Sequence, residues 1–283
     1  MHSLMMLFAL AIACGIRFSI PPTSQKNWAR SLFFFLFPPL ILLMTSLAVL
    51  CMGYRGEMLG LKASWFSYFF AIIFLFFASF RLIQMFSQAW LAQQEIQKYP
   101  QKLVVAQLAR IIDTEFPYSA RIGFWNSELI ITQGLIDLLE PEHLNAVLAH
   151  EKAHYNYRDT FWFFWLEWLR SITSWLPNTK TLWQELLFLR EIRADQRASK
   201  SVDSLLLAES LLQVAQQVNL VSPFNFRERI CVAFHEVSAQ NRLLERVNLI
   251  LDEPESSSFE FSWYHWTILL CSLMPFFTLP LHD

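Results

Sequence analysis

Two histidines four residues apart, His150 and His154, enclose a glutamate in the run His150-Glu151-Lys152-Ala153-His154. On a helix, positions i and i+4 share a face, so both imidazoles can reach one ion. Glu151 is offset by about a quarter turn on the ~3.6-residue period, so it can miss the ion and still reach a water bound to it. That division suits metal-assisted hydrolysis. Zinc lowers the pKa of a bound water from 15.7 to roughly 7, and a carboxylate takes the proton. A three-position motif also arises by chance in unrelated helices, so the surroundings must decide. The stretch Ala146-Val147-Leu148-Ala149 before it is apolar enough to bury it, and a buried His or Glu is costly without a partner or a metal.

A catalytic zinc site needs a third protein ligand and one open position. The run Arg190-Glu191-Ile192-Arg193-Ala194-Asp195 supplies a second i, i+4 pair, of acids this time. Glu191 is the expected third ligand. Asp195 is expected to accept a hydrogen bond from a ligand imidazole, His150 in particular, and so to fix its tautomer. Taken alone, these acids would read as surface partners of Arg190 or Arg193. Their occurrence together with His150 and His154 reverses that preference. The expected cofactor is one Zn2+ per chain.

Certain elements must position these groups. Pro141 suits the first turn of a helix and Glu142 its positive end. That helix carries Leu144, Val147 and Leu148 and runs through His154. Upstream, Lys102–Ile112 is expected to be a short helix, and Ala120–Phe124 with Leu129–Thr132 a small β-hairpin around Asn126-Ser127. Later helices are expected over Thr181–Ala198, Asp203–Val218 and Phe226–Leu251. Asp159 is expected to cap or anchor the end of the histidine helix, with its reach away from the histidine pair.

The composition is 54% hydrophobic, above the ~45–50% of soluble domains, so a bilayer is the natural home for the excess. Four apolar runs approach the ~20 residues that cross one as a helix: Leu4–Ile20, Leu32–Met52, Trp65–Phe80 and Trp263–Leu281. The first lacks the basic start and small-residue end of a cleaved signal, and is expected to stay as a membrane helix. Phe161–Leu176 is also apolar, but Glu167 and Arg170 lie within it and can pair. With its tryptophans, it is expected to lie on or shallowly in the membrane or to pack against the spanning helices, with a fifth spanning helix as the alternative. Arg17, Lys26 and Arg30 outnumber Arg55 and Lys62 across the first two links, which places the catalytic stretch on the cytoplasmic side of a cell inner (plasma) membrane. A net charge of −2 gives no footprint for direct nucleic-acid binding. Cys14, Cys51, Cys231 and Cys271 show no metal spacing and read as small hydrophobes.

The stretch Ala146–His154, then Arg158-Asp159, then Glu191–Ala198 resembles the gluzincin membrane peptidases, and within them the BlaR/MecR type, relatives of the HtpX and CAAX prenyl protease group. Leu129–Leu135 looks like the family's substrate-side strand and following turn, Trp175-Leu176-Pro177 like its aromatic-Asn-Pro element, and Glu245-Arg246-Val247 fits the same plan. There are departures. Ser127-Glu128 stands where a proline is common, Leu176 replaces the Asn, and a penicillin-binding sensor domain after the last apolar run is not expected. The resemblance implies a mainly α integral membrane protein. About four transmembrane helices would carry a helical zincin-like catalytic domain with a small β-hairpin. The expected layout is a membrane region over 1–88, a zinc metallopeptidase domain over 89–262 and a final membrane helix over 263–283. The implied activity is endopeptidase action on a regulator, such as a BlaI-like repressor, or on a membrane protein. Substrate is expected to lie along Glu128, Leu129, Ile130, Ile131 and Thr132. His235 is a candidate donor to the oxyanion. The rival reading is a catalytically silent membrane scaffold or regulatory protein that retains a metal site.

Overall fold

The computed structural model describes residues 2–19, 27–55, 57–58, 61–62, 65–220, 240–252, 267 and 269–281. Helices α1 (His2–Phe18) and α2 (Trp28–Met52) come first. A two-stranded ribbon follows, β1 (Glu57–Met58) and β2 (Leu61–Lys62), and then the long helix α3 (Trp65–Ile96). Strands β3 (Gln101–Val104), β4 (Gln107–Ile112), β5 (Ser119–Ile122) and β6 (Glu128–Thr132) make one sheet. The rest is helical: α4 (Gln133–Leu138), α5 (Pro141–Tyr157), α6 (Asp159–Ile172), α7 (Thr179–Ala198), α8 (Ser204–Leu220), α9 (Gln240–Leu251) and a 3-10 helix over Cys271–Leu281. The protein is mainly helical with a small sheet.

The chain divides into two compact units. The first comprises 1–85, 165–187 and 258–283. In it α2 and α3 are long and apolar enough to cross a membrane, and α1 and the 3-10 helix are shorter apolar helices. At ~1.5 Å per residue the 32 residues of α3 extend roughly 48 Å, beyond the ~30 Å of a hydrocarbon core. The apolar window of α2 is 56% buried and that of α3 only 11%, so α3 turns its Phe and Ile side chains outward. Of the last apolar run of the sequence, residues 267 and 269–281 are described, and within it Cys271–Leu281 form the 3-10 helix, which is shorter than a membrane span. Arg17, at the end of α1, is fully buried; its guanidinium lies over the Phe35 ring and donates to the Phe35 carbonyl. Glu167 and Arg170 pair on α6 at 2.6 and 2.7 Å, as their spacing predicts.

The second unit comprises 86–164 and 188–257. Its sheet has the order β3-β4-β6-β5. β4 runs parallel to β6, while β3 and β5 run antiparallel to their neighbours. This corrects two expectations. Lys102–Ile112 is not a helix but the end of β3, a two-residue turn at Val105-Ala106, and β4. The burial of Ala109 and Ile111 has the period of two that a strand requires. And the hairpin formed by β5 and β6 is half of a four-stranded mixed sheet.

The sheet explains where α5 sits. Ala109, Ile111, Leu129 and Ile131 on the sheet and Leu144, Val147 and Leu148 on α5 form one buried cluster. Ala146 faces a second cluster with Leu207 and Ala208 of α8 and Val247 and Ile250 of α9. Each fully buried Leu, Ile or Val contributes about 1.5–3 kcal/mol, so α5 is clamped over most of its circumference. Gly134 is required at the entry to α4, because a Cβ there would lie 2.0 Å from the Glu115 carbonyl oxygen.

Candidate metal centre

Helix α5 ends at Arg158, which turns left-handed at φ 52° and donates its N–H back to the Tyr155 carbonyl at 3.1 Å. The histidines therefore lie in the last two turns of a helix held from the sheet side and from α8 and α9. His150 and Glu151 are 6% and 7% exposed, and Asp195, on α7, is 1% exposed.

The ring nitrogens converge. His150 Nε2 and His154 Nε2 are 3.0 Å apart. Glu191 Oε2 lies 3.4 Å from the first and its Oε1 3.8 Å from the second. A tetrahedral ion with metal–ligand bonds of ~2.0–2.1 Å sets its ligand atoms about 3.3 Å apart. The three side chains therefore fit a divalent ion, and they form the metal-capable group found among the described residues.

Each imidazole turns its outer nitrogen to a carboxylate. His150 Nδ1 lies 2.8 Å from Asp195 Oδ1, and Asp195 is gripped by Arg246 through Nε at 2.8 Å and Nη2 at 2.9 Å. His154 Nδ1 lies 2.7 Å from Asp159 Oδ2, whose other oxygen accepts from Arg193. The reach expected of Asp159, away from the histidine pair, is thus corrected. The left-handed turn at Arg158 brings the first residue of α6 back against His154. Arg246 sits in a run noted in the sequence, but its grip on Asp195 was not anticipated, because the two residues are 51 positions apart in the chain.

The electrostatics favour positive charge at this point. Burial pushes the His150 imidazolium down, but Asp195 and then Glu191 outweigh it and raise the pKa to about 10. For His154 burial is again the largest influence and lowers it, yet Glu191 and Asp159 carry the balance upward. Burial opposes the charge of Glu191, which is still held well below the usual carboxylate range by Arg190 and then His154. Asp195 is likewise lowered, by Arg246 and His150 against burial. Groups that hold protons this firmly on two imidazoles would stabilise a divalent cation between them.

A cleft beside the cluster is lined by His150, Glu151, His154, Glu191, Phe163 and the whole of β5. The strand expected to receive substrate, Glu128–Thr132, is β6, which is paired on both sides, with β4 and with β5. Its main-chain groups are spent, so that expectation is corrected. The sheet has two edge strands, β3 and β5, and the one that lines the cleft is β5, Ser119–Ile122. Two further groups missed in the sequence lie on it. Ser119 Oγ donates to Glu151 Oε1 at 2.9 Å, and Arg121 Nε donates to the Glu151 carbonyl at 2.8 Å. His235 lies outside the described residues. His143 pairs with Glu209 at 3.5 Å, away from the cluster.

Residues 111–229 match the model of peptidase family M48. This is a zincin-type metallopeptidase family. The matched stretch is under half of the chain, but it holds His150, Glu151, His154, Glu191 and Asp195, and it ends before Arg246. The match is to the wider family and does not single out the BlaR/MecR branch. No curated protein and no solved structure matches the chain.

Proposed function

We propose that the protein is a membrane-anchored, zinc-dependent endopeptidase in which His150, His154 and Glu191 hold the metal and Glu151 is the general base. The observation that carries this reading is the convergence of the ligand side chains: the two Nε2 atoms are 3.0 Å apart, Glu191 sets one oxygen 3.4 Å from the first and its other oxygen 3.8 Å from the second, and a further acid stands behind each imidazole. Zn2+ bound there would polarise the scissile carbonyl and acidify the attacking water. The protein's own groups carry the remaining steps. Glu151 takes a proton from the water as the C–O bond forms, then gives it to the amine as the C–N bond breaks. Asp195 and Asp159 keep the Nε2 lone pairs of the two imidazoles aimed at the same point. An extended peptide pairs through its main chain with the open edge of β5, which brings its carbonyls along the cleft.

Membrane anchoring is supported by the apolar length of α2 and α3 and by the outward-facing side chains of α3. The excess of Lys and Arg in the link after α1 supports a cytoplasmic site. The substrate class is a regulator or a membrane protein, and a BlaI-like repressor fits a cytosolic target.

The decisive comparison is wild type against Glu151→Gln, purified in detergent. Both should hold about one zinc per chain, because the ligands are intact. Cleavage should fall about 10²- to 10⁴-fold in the variant. Full cleavage by Glu151→Gln removes the proposed base. A wild-type protein that holds zinc and cleaves nothing, including substrates trapped by the variant in native membranes, returns the reading to a silent scaffold.

A further inference from the structure

The edge strand β5 touches Glu151 twice. Ser119 Oγ donates to the side-chain Oε1, and Arg121 Nε donates to the main-chain oxygen of the same residue. Alternate residues of a strand share a face. One face of β5 therefore holds both the carboxylate and the backbone of a single helical residue. Arg121 is itself fixed. Its guanidinium lies 4.7 Å from the centre of the Tyr155 ring and donates to the Ser127 carbonyl at 3.4 Å and to Gln107 Oε1 at 3.3 Å. Gln107 in turn donates to the Leu148 carbonyl of α5 at 3.4 Å, so the strand and helix are tied at two levels.

We infer that Ser119 is a positioning residue for the reaction: its hydroxyl occupies Oε1 of Glu151 and so sets the plane in which Oε2 takes the proton. This rests on the reading of Glu151 as the base. A glutamate side chain has three rotatable bonds, and this one is 93% shielded from the water that could otherwise hold it (relative exposure 7%). Proton transfer needs heavy atoms within about 2.6–3.2 Å, and a misplacement of about 1 Å can cost 10²-fold. A hydroxyl bonded to an ionised carboxylate is among the stronger hydrogen bonds available for holding that geometry. The placement has a second consequence. Ser119 belongs to the strand whose outer edge is open, so a peptide that pairs along β5 stiffens the element that aims the base. Docking of substrate and orientation of Glu151 then depend on the same four residues.

The test uses the full-length protein loaded with zinc and an internally quenched casein-derived peptide. Ser119→Ala should lower kcat about tenfold and leave KM within about twofold, the pattern of a group that acts in the transition state rather than in binding. Zinc content should be unchanged. Ser119→Thr keeps the hydroxyl on a residue type that strands favour and should recover most of the rate. A second measurement needs no substrate. In the cobalt-substituted protein the d–d absorption should change in Ser119→Ala and return in Ser119→Thr, because the base beside the metal has moved and been restored. Unchanged kcat and an unchanged cobalt spectrum in Ser119→Ala overturn the inference. Equal losses in the Ala and Thr variants also overturn it, since they assign the effect to strand packing. If the wild-type protein binds metal but leaves the peptide intact, the peptidase reading fails, and the cobalt spectra alone decide the role of Ser119.

Discussion

The two sides of the metal cluster are built alike from different materials. On one side the chain of contacts runs from His150 to Asp195 to Arg246, on the other from His154 to Asp159 to Arg193. The first joins three separate helices, α5, α7 and α9, through a two-pronged arginine contact. The second also joins three helices, α5, α6 and α7, but its first link spans only five residues across the tight turn at Arg158, and Arg193 meets one oxygen of Asp159. The likeness teaches that an imidazole in this setting needs a buried acid, and that the acid needs a cation of its own. The difference teaches where the site is most sensitive. The His150 side depends on long-range packing, and the His154 side depends on one local turn.

The largest effect should come from removing either imidazole. His150→Ala and His154→Ala should each abolish stoichiometric zinc, measured by metal analysis after desalting, since a site with two protein ligands falls below the three that such centres use. Retention of one zinc per chain by either variant would break the proposed symmetry at its root. Next come the acids. Loss of such a supporting carboxylate typically costs about 10- to 100-fold in metal affinity. Asp195→Asn should lie near the upper end and Asp159→Asn near the lower, as read by competition with a chelating dye. The reverse order would show that the local turn, not the long-range contact through α9, governs the site.

The smallest effect concerns pH, and it sharpens the same comparison in metal-free protein. Asp195 and Glu191, against burial, raise His150 from 6.5 to about 10 in the folded state, and His154 moves in the same direction. A raised folded pKa means that the native state binds the proton more tightly. The stabilisation is thus fully present below about pH 6.5 and is lost as pH rises towards about 10. The melting temperature of the metal-free protein should fall across that window, and Asp195→Asn should flatten the fall more than Asp159→Asn. A flat profile in the unsubstituted metal-free protein would show that the acids do not hold those protons.

The cluster was legible in the sequence because helical spacing does the work. His150 with His154 and Glu191 with Asp195 are i, i+4 pairs, and the run from Leu144 to Leu148 announces which face is buried. What escaped was whatever depends on strand pairing or on a turn. Ser119 and Arg121 look like ordinary strand residues until β5 is known to be the edge and to lie against α5. β6 reads as a strand, but sequence alone does not say that both of its edges are filled. Asp159 follows a left-handed Arg158, a conformation that no glycine or asparagine signals. Of the membrane plan, the positions of α2 and α3 were legible as apolar runs, while the full length of α3, which runs on to Ile96, and the number of crossings were not fixed by hydropathy alone.

The same absence of glycine hid the turn between β3 and β4, and it leaves a mark on the folded chain. Val105 and Ala106 stand at φ 43° and 63°, the signs of a type I′ turn, which glycine and asparagine normally supply. A β-branched valine is poorly suited to that region, and it is flanked by the outward-facing Leu103 and Leu108. The hairpin thus carries a conformational debt at its tip, on the order of 1 kcal/mol or more. Exchanging the pair for Asn-Gly should relieve it and raise the melting temperature by a few degrees, roughly what a 1 kcal/mol gain gives in a domain of this size. That leaves a naturally tense loop as a convenient point for tuning the domain's robustness without approaching its chemistry.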